Sequence, residues 1–212
     1  NVSFINCSQT NDINDNRYWG IIGSNYSKNL LYDNCTFSRF DAHMGVANAT
    51  IRNSTLGHQG INAIGSGTFL VEKSTIYGRN LINLRSDYGS TWQGEFIIRD
   101  CIFVPAGGNP VTASLIGGSY SGQHDFGYTC YMPERILIEN LRIDDSRHPE
   151  NYQGTSIFAN FNPQMKDDSY VEKFPYVITR EVVLKNVTTS SGKTLRVSDN
   201  PYMFRNVKII TQ

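Results

Sequence analysis

The chain has 212 residues, a formal net charge of zero and only 18% charged residues. Lysine and arginine are scattered without a basic stripe, which argues against nucleic acid as a partner because phosphate binding needs clustered cations. No apolar run approaches the roughly 20 residues that span a bilayer, so we also expect no membrane partner.

A unit of about twenty residues recurs along the chain and predicts its fold. The segment ATIRNSTL at residues 49–56 aligns with FLVEKSTI at residues 69–76, and residues 61–64 align with residues 82–85. Each unit holds short alternating strands and lacks helical spacing. Such a repeat is typical of a coil that winds once per unit and stacks on itself, so we predict one solenoid domain over residues 1–212 with about eight turns.

In chain order, the first strand of each unit alternates apolar and polar residues, which places the apolar ones inside the coil. These apolar pairs are Val2/Phe4, Leu30/Tyr32, Ala49/Ile51, Phe69/Val71, Phe96/Ile98, Ile136/Ile138 and Val182/Leu184. The strand then ends at Asn6, Asn34, Asn53, Asn140 and Asn186, with Lys73 and Asp100 as exceptions. Asparagine tolerates the left-handed backbone of a sharp bend, and stacked asparagines hydrogen-bond to each other, so we predict a buried asparagine ladder.

Three cysteines occupy equivalent places in the repeat. Cys7, Cys35 and Cys101 each follow the ladder position, where we expect small buried residues. Cys7 and Cys35 would lie on neighbouring turns about 4.8 Å apart, so a disulfide between them stays open.

These units resemble those of the right-handed parallel β-helices of the pectate lyase superfamily. The shared pattern is Asn-x-x-hydrophobic-x-Asn-Cys/Ser-x-hydrophobic, seen here at residues 48–56 and, in part, at residues 1–7. The resemblance implies an all-β, right-handed parallel β-helix. It does not imply one activity, because the superfamily includes polysaccharide lyases, glycoside hydrolases, uronan epimerases, esterases and phage tailspikes.

Two insertions interrupt the repeat, at residues 105–134 and 144–180, and each contains one short candidate strand, at residues 111–116 and 156–161. Long loops in a compact repeat are commonly functional, so they are candidates for the walls of a sugar-binding groove or for a lid over the coil. The chain also opens inside a strand without an initiator Met, and we expect it to be a fragment of a longer chain.

The second strand of each unit carries the candidate site. Residues 40–45, 61–66 and 82–87 align at offsets of 21, which predicts three exposed columns: Asp41/Asn62/Asn83, His43/Ile64/Arg85 and Gly45/Ser66/Asp87. His43 and Arg85 would lie two turns apart, about 10 Å between backbones, so both could reach one sugar.

The chemistry that these residues favour is β-elimination on an acidic, uronic-acid polysaccharide. Arg85 would neutralise the carboxylate, His43 would act as the base and Tyr88 as the acid. The residues expected to bind the sugar are Asp41, Asn62, Asn83, Asp87 and Trp92. We predict no cofactor. Calcium is a weaker alternative, because Asp41, Asn62 and Asn83 offer few oxygen ligands.

Three further functions are compatible with the same fold. A glycoside hydrolase needs two carboxyl groups about 5–10 Å apart, whereas Asp41 and Asp87 would lie roughly 16 Å apart. Its acid would therefore come from a loop, for instance from Asp125, Glu134 or Asp145, or from turns upstream of this sequence. The chain could also be a segment of a phage tailspike or a non-catalytic module that binds glycans. We expect a secreted or periplasmic protein of microbial or phage origin, a monomer rather than a trimer, with a polysaccharide as its partner.

Overall fold

The computed structural model describes residues 1–15, 17, 23–86, 89, 91–105, 112–119, 129–171 and 176–212. In chain order its elements are β1 (Val2–Ile5), β2 (Ser24–Asn25), β3 (Lys28–Asp33), β4 (Thr36–Arg52), β5 (Thr55–Glu72), β6 (Thr75–Gly78), β7 (Asn80–Leu84), β8 (Trp92–Pro105), β9 (Ala113–Gly117), β10 (Cys130–Tyr131), β11 (Arg135–Ile143), β12 (Thr155–Phe158), β13 (Tyr176–Val177), β14 (Glu181–Thr189), β15 (Arg196–Ser198), α1 (Pro201–Phe204) and β16 (Lys208–Thr211).

Fourteen of these strands form one sheet that curls round an axis. From one end its order is β15-β12-β9-β7-β5-β6-β8-β11-β14-β16, and β4 joins β1, β2 and β3 to β5. Each strand pairing within the described residues is parallel, so the predicted all-β class of parallel strands is confirmed in an arrangement consistent with a β-helix. The number of turns stays a prediction.

The strand register follows the repeat that the sequence displays. Ala49 pairs with Phe69 and Ile51 with Val71, and the same alignment continues from Phe69 to Phe96 and from Phe96 to Ile136. The apolar members of these pairs fill the inside of the curled sheet, where Phe69 and Phe96 meet edge to face with ring centroids 5.6 Å apart. The two-residue alternation therefore assigned the core correctly from Leu30/Tyr32 to Val182/Leu184. It was wrong for Val2 of β1, which is 36% exposed, and Phe4 beside it is only half-buried.

The predicted asparagine ladder is present, although it lies on the outside of the coil. The residues that end the first strands all have a left-handed backbone, with φ of 56° at Asn6, 53° at Asn34, 52° at Asn53, 47° at Lys73, 54° at Asp100, 52° at Asn140 and 49° at Asn186. Asn34 donates to Asn6 at 2.7 Å and Asn186 donates to Asn140 at 3.0 Å. These residues are exposed, so the expectation that they are buried was wrong, because a bend that turns outward presents its side chain to solvent.

A second asparagine ladder precedes the first strands and was not predicted. Asn29 donates to Asn1 at 2.8 Å and Asn48 donates to Asn29 at 3.1 Å. Asn29 and Asn48 also have a left-handed backbone, with φ of 55° and 60°. On the next turn Gly67 takes this place with φ of 84°, and a Cβ there would lie 2.2 Å from Asn48 Oδ1. Each turn of this part of the coil is thus fixed at both ends of its first strand.

The cysteines that follow the ladder position point into the coil. Cys7 and Cys35 are free thiols, so no disulfide joins them. Cys35 Sγ donates to Phe4 O across the turn at 3.3 Å. Burial raises the pKa of the Cys101 thiol to about 11, as expected for a small buried residue without a redox role.

The two predicted insertions contribute strands to the main sheet. Strand β9 of the first insertion pairs with β7, and strand β12 of the second pairs with β9. The second insertion is anchored by Asp145, whose buried carboxylate accepts hydrogen bonds from Tyr152 Oη at 3.0 Å and from Ser191 N at 2.8 Å. Residues 106–111, 120–128 and 172–175 of these insertions fall outside the described residues.

Replacing Lys73 by Asn tests the energetic role of the outer ladder. The left-handed backbone costs a lysine about 1 kcal/mol more than it costs an asparagine or glycine. We therefore expect Lys73→Asn to raise the free energy of unfolding by about 0.5–1 kcal/mol, measured as a higher urea midpoint at an unchanged slope.

The matched control is Lys28→Asn, because Lys28 is also an exposed lysine but lies in the extended strand β3. This variant should be neutral or slightly destabilised, since asparagine is a poor strand former. A fall in the midpoint of Lys73→Asn would contradict the assignment of that turn to the ladder.

Candidate functional site

The predicted columns are correct at one position and wrong further along the strand. Asp41 pairs with Asn62, and Asn62 pairs with Asn83, as the offset of 21 requires. After Ala42 the register of β4 shifts, so the next pairs are Val46 with Gly65 and Ala47 with Ser66. A bulge of this kind leaves residues without a ladder partner. The columns His43/Ile64 and Gly45/Ser66 are therefore wrong, and Ile64 is buried instead of exposed.

Asp41 is a buried ion-pair partner and does not face solvent. The Asp41 side chain has no exposed surface, and its carboxylate forms salt bridges with Arg39 and Arg85, the latter at 3.1 Å from Nη1. Gly23 covers it, because a Cβ on Gly23 would lie 3.4 Å from Asp41 Oδ2. Burial is the main cause of the lowered pKa of Arg39, and the positive charge of the neighbouring Arg85 lowers this pKa further. The expectation that Asp41 binds sugar is corrected, since its oxygens are occupied by two guanidinium groups.

Trp92 lies in the core and not in a loop beside the polar strands. It is the first residue of β8, has no exposed surface and packs on Phe69 with ring centroids 5.0 Å apart. Its indole Nε1 donates to Gly67 O at 2.9 Å. A ring without exposed surface cannot contact a sugar, so the sugar-binding role expected of Trp92 is corrected.

The remaining predicted site residues have mixed positions. His43 is half-buried on the bulge of β4, and the side chain of Arg85 is 19% exposed beside Asp41. Asp87 and Tyr88 lie outside the described residues, so their roles stay predictions.

Asn62 and Asn83 form a short polar ladder of their own. Asn83 Nδ2 donates to Asn62 Oδ1 at 3.1 Å, and Asn62 Nδ2 donates to Gln59 O at 3.0 Å. Both side chains are half-buried and line a depression. They are therefore held by the protein while one side remains accessible to a ligand.

This depression is one end of a row of three adjoining depressions, which we call the polar groove. The first part, of about 160 Å³, is lined by His58, Asn62, Arg79 and Asn83 among others. The second, of about 310 Å³, shares Arg79 and Asn83 with the first and extends to Ser114 and Asp199. The third, of about 200 Å³, shares Asp199 with the second and reaches Lys166 and Tyr202. The shared residues place the three parts side by side along the same face.

His58 is held in one tautomer by its neighbours in the groove. Its Nδ1 lies 3.0 Å from Ile13 O, and its Nε2 lies 2.7 Å from Gln59 Nε2. Because a carbonyl oxygen only accepts, this network assigns the proton to Nδ1 and the lone pair to Nε2. A neutral imidazole with a basic Nε2 can remove a proton from a ligand once the Gln59 amide moves aside.

Arg79 is an exposed cation in the part of the groove that contains His58. Across the described residues, neither a hydrogen bond nor an ion pair engages its guanidinium group, whereas Arg52 binds Asp33 and Arg99 binds Glu72. An unpaired guanidinium is suited to bidentate binding of a carboxylate. The repeat offset is 20 at Leu56 and 21 at Ile61, so alignment of the units assigns no partner to His58, which lies between them, and contains no signal for this pair.

Carboxyl groups are scarce in the polar groove. Among its described lining residues the acid is Asp199, which pairs with Arg196. Of the acids considered for hydrolysis, Asp145 is buried in the anchor of the second insertion, and Asp125 lies outside the described residues. Glu134 lines a separate groove of about 590 Å³ and pairs with Arg180 at 2.8 Å.

Calcium does not fit the oxygen set that the sequence suggested. The carboxylate of Asp41 is bound by Arg39 and Arg85, and the side-chain oxygen of Asn62 accepts from Asn83. In the part of the chain that the structure describes, no group of three or more His, Cys, Asp or Glu side chains could hold a metal ion.

Comparison with known proteins gives one informative similarity. The chain is 32% identical over 114 residues to a protein described as "Depolymerase, capsule KL64-specific" from Klebsiella phage P510. The match covers 44% of this chain and 11% of that protein, so the chain spans about a tenth of its relative. Neither a family model nor a solved structure matches the chain. The similarity and the curled parallel sheet support a β-helix-like fold, while membership of the pectate lyase superfamily stays a prediction.

The structure also bears on membrane insertion. Among the described residues, the helices include none that is both long and apolar enough to span a bilayer.

Replacing Asp41 by Asn tests the role of the buried charge cluster. The variant leaves Arg39 and Arg85 close together in a poorly solvated site without their shared carboxylate. Removing one member of a buried ion pair costs about 3–5 kcal/mol, and we expect this loss in the free energy of unfolding measured by urea titration.

The control for this variant is Asp33→Asn, which removes the exposed ion pair with Arg52. An exposed pair contributes about 1 kcal/mol or less, so the loss should be correspondingly small. Equal losses in the two variants would contradict the structural role assigned to Asp41.

Proposed function

We propose that this chain is part of an extracellular, phage-associated β-helix protein that cleaves an acidic polysaccharide by β-elimination. The observation that carries the proposal is that Arg79, which has no hydrogen-bond or ion-pair partner among the described residues, lines the same part of the polar groove as His58, whose Nδ1 is held by Ile13 O. The similarity to a phage capsule depolymerase supports a capsular polysaccharide as the substrate class. We further propose that the chain binds its substrate without nucleic acid, membrane or metal.

In the proposed binding step, the carboxylate of a uronic acid lies on the guanidinium group of Arg79. Neutralising this carboxylate acidifies the adjacent C–H bond, because charge developing on the carbon is delocalised into a paired carboxylate. Asn62 and Asn83, held by their own ladder, offer amide groups to the sugar hydroxyls. The substrate is thereby oriented before any bond breaks.

In the proposed chemical step, His58 Nε2 removes the proton next to the carboxylate. The electron pair of that C–H bond forms a carbon–carbon double bond, and the bond between the neighbouring carbon and the glycosidic oxygen breaks. The protonated His58 then returns the proton to the leaving oxygen. One residue acts as base and then as acid, which conserves atoms and charge without a co-reactant.

Two competing mechanisms place the chemistry on different residues. Hydrolysis requires two carboxyl groups, and the described lining of the groove offers Asp199, which is already ion-paired. The combination of His43, Arg85 and Tyr88 remains a proposal for the same elimination, although Arg85 is bound to Asp41. Variants of His43 and His58 separate these two sites.

The test follows ultraviolet absorbance of the unsaturated uronide and release of reducing ends in the same samples. Substrates are purified KL64 capsule and a panel of other uronic-acid polysaccharides. The wild type should produce both signals, and His58→Ala and Arg79→Ala should each lower kcat/KM by about 100-fold. Arg147→Gln, a change at an exposed arginine outside the groove, is the matched control.

Each competing function gives a distinct result. Reducing ends without absorbance would mean hydrolysis, and silence in both assays with retained polymer binding would mean a non-catalytic glycan-binding module. Loss of activity in His43→Ala with full activity in His58→Ala would move the reaction to the bulge of β4.

A further inference from the structure

The polar groove continues well beyond the residues that the proposed reaction uses. From Arg79, which precedes β7, it passes β9 and β12 to reach Asp199 directly after β15. These strands are consecutive neighbours in the sheet, and three strand spacings of about 4.8 Å give a path of roughly 14 Å. A single sugar at Arg79 would leave most of this length empty.

The far end of the groove contains a second cation. Lys166 is exposed, and within the described ranges neither a hydrogen bond nor an ion pair engages its ammonium group. The charged lining residues of the described groove are Arg79, Lys166 and Asp199, and Asp199 is neutralised by Arg196. A groove with one unpaired cation near each end favours an anionic ligand that is long enough to reach both.

The far end also offers a ring surface and a fixed wall. Tyr202 is 41% exposed and lines the third part of the groove, and its ring can pack against the apolar face of a sugar. The neighbouring Asn200 is buried, and its Nδ2 donates to Asn162 O at 2.9 Å and to Met165 O at 3.0 Å. Asn200 thus ties the segment that carries Lys166 to the start of α1, so the wall is formed before a ligand arrives.

We infer that Lys166 and Tyr202 form a distal subsite that binds a second acidic portion of the same polysaccharide chain. The polymer lies along the groove, with one acidic group on Arg79 and another on Lys166. This inference rests on the proposed function. It adds that the substrate is a long chain, bound along its length and not only at one end, with acidic groups on more than one sugar. Affinity then depends on chain length, because a short oligosaccharide occupies only one end.

The experiment measures binding of size-fractionated oligosaccharides, prepared by partial acid hydrolysis of KL64 capsule, by calorimetry. Oligosaccharides long enough to span the groove should bind the wild type about ten-fold more tightly than the shortest fraction. Lys166→Gln should lower this ten-fold gain in affinity about five-fold, to roughly two-fold. Tyr202→Ala should lower the gain as well. Lys193→Gln, at another exposed lysine outside the groove, should keep the full gain.

Each outcome distinguishes the inference from the function on which it rests. If the wild type binds short and long fractions equally, or if Lys166→Gln keeps the full gain, the distal subsite is wrong while the site at Arg79 stands. If the wild type binds no fraction of this capsule or of the other acidic polysaccharides, the proposed function and the distal subsite are both overturned. Unchanged urea midpoints of Lys166→Gln and Tyr202→Ala would exclude unfolding as the cause of a smaller gain in affinity with chain length.

Discussion

The structure depends on a left-handed backbone bend at the end of each first strand. Asn6, Asn34, Asn53 and their equivalents adopt it with almost the same φ, so each turn of chain leaves its strand in the same direction. Identical exits keep the strands in register, and the register places one apolar residue over another along the core. The side chains at the bend then hydrogen-bond to the neighbouring turn, as Asn140 does to Asp100 at 2.9 Å.

The arginines and lysines discussed above divide into two groups, those that the fold buries and those that it leaves exposed. Arg39 and Arg85 are withdrawn from water around Asp41, and a buried group of this kind is stable only while its charges remain together. Arg79 and Lys166 keep their hydration and lack a protein partner in the described ranges. A ligand that meets these two cations gains an ionic contact without having to displace a carboxylate of the protein, which is the physical basis for assigning binding to them.

Sequence periodicity predicted the core and ladder positions that recur in each unit. It failed where a local irregularity shifts the register. The core of the first strands and the ladder positions follow from a two-residue alternation and from asparagine at the bend. The bulge after Ala42 shifts the register by a local event that alignment of neighbouring units cannot detect. The burial of Asp41 arises from Gly23, eighteen positions earlier. Trp92 is buried because β8 begins at Trp92, ahead of the Phe96/Ile98 pair that marked this strand in the sequence. Arg79 lies in the turn between β6 and β7, where the offset of the repeat changes, so alignment of the units does not select it.

The asparagine ladder links residues that are 28, 40 and 46 positions apart in different parts of the coil. The entropy lost on closing a loop grows only with the logarithm of its length, so lengthening a turn from 28 to 46 residues costs about 0.4 kcal/mol. Segments between the bends can therefore be exchanged or enlarged at little cost while the ladder holds the stack. In evolutionary terms, a coil of this kind separates inheritance of the scaffold from diversification of the groove, and a new ligand can be accommodated without rebuilding the fold.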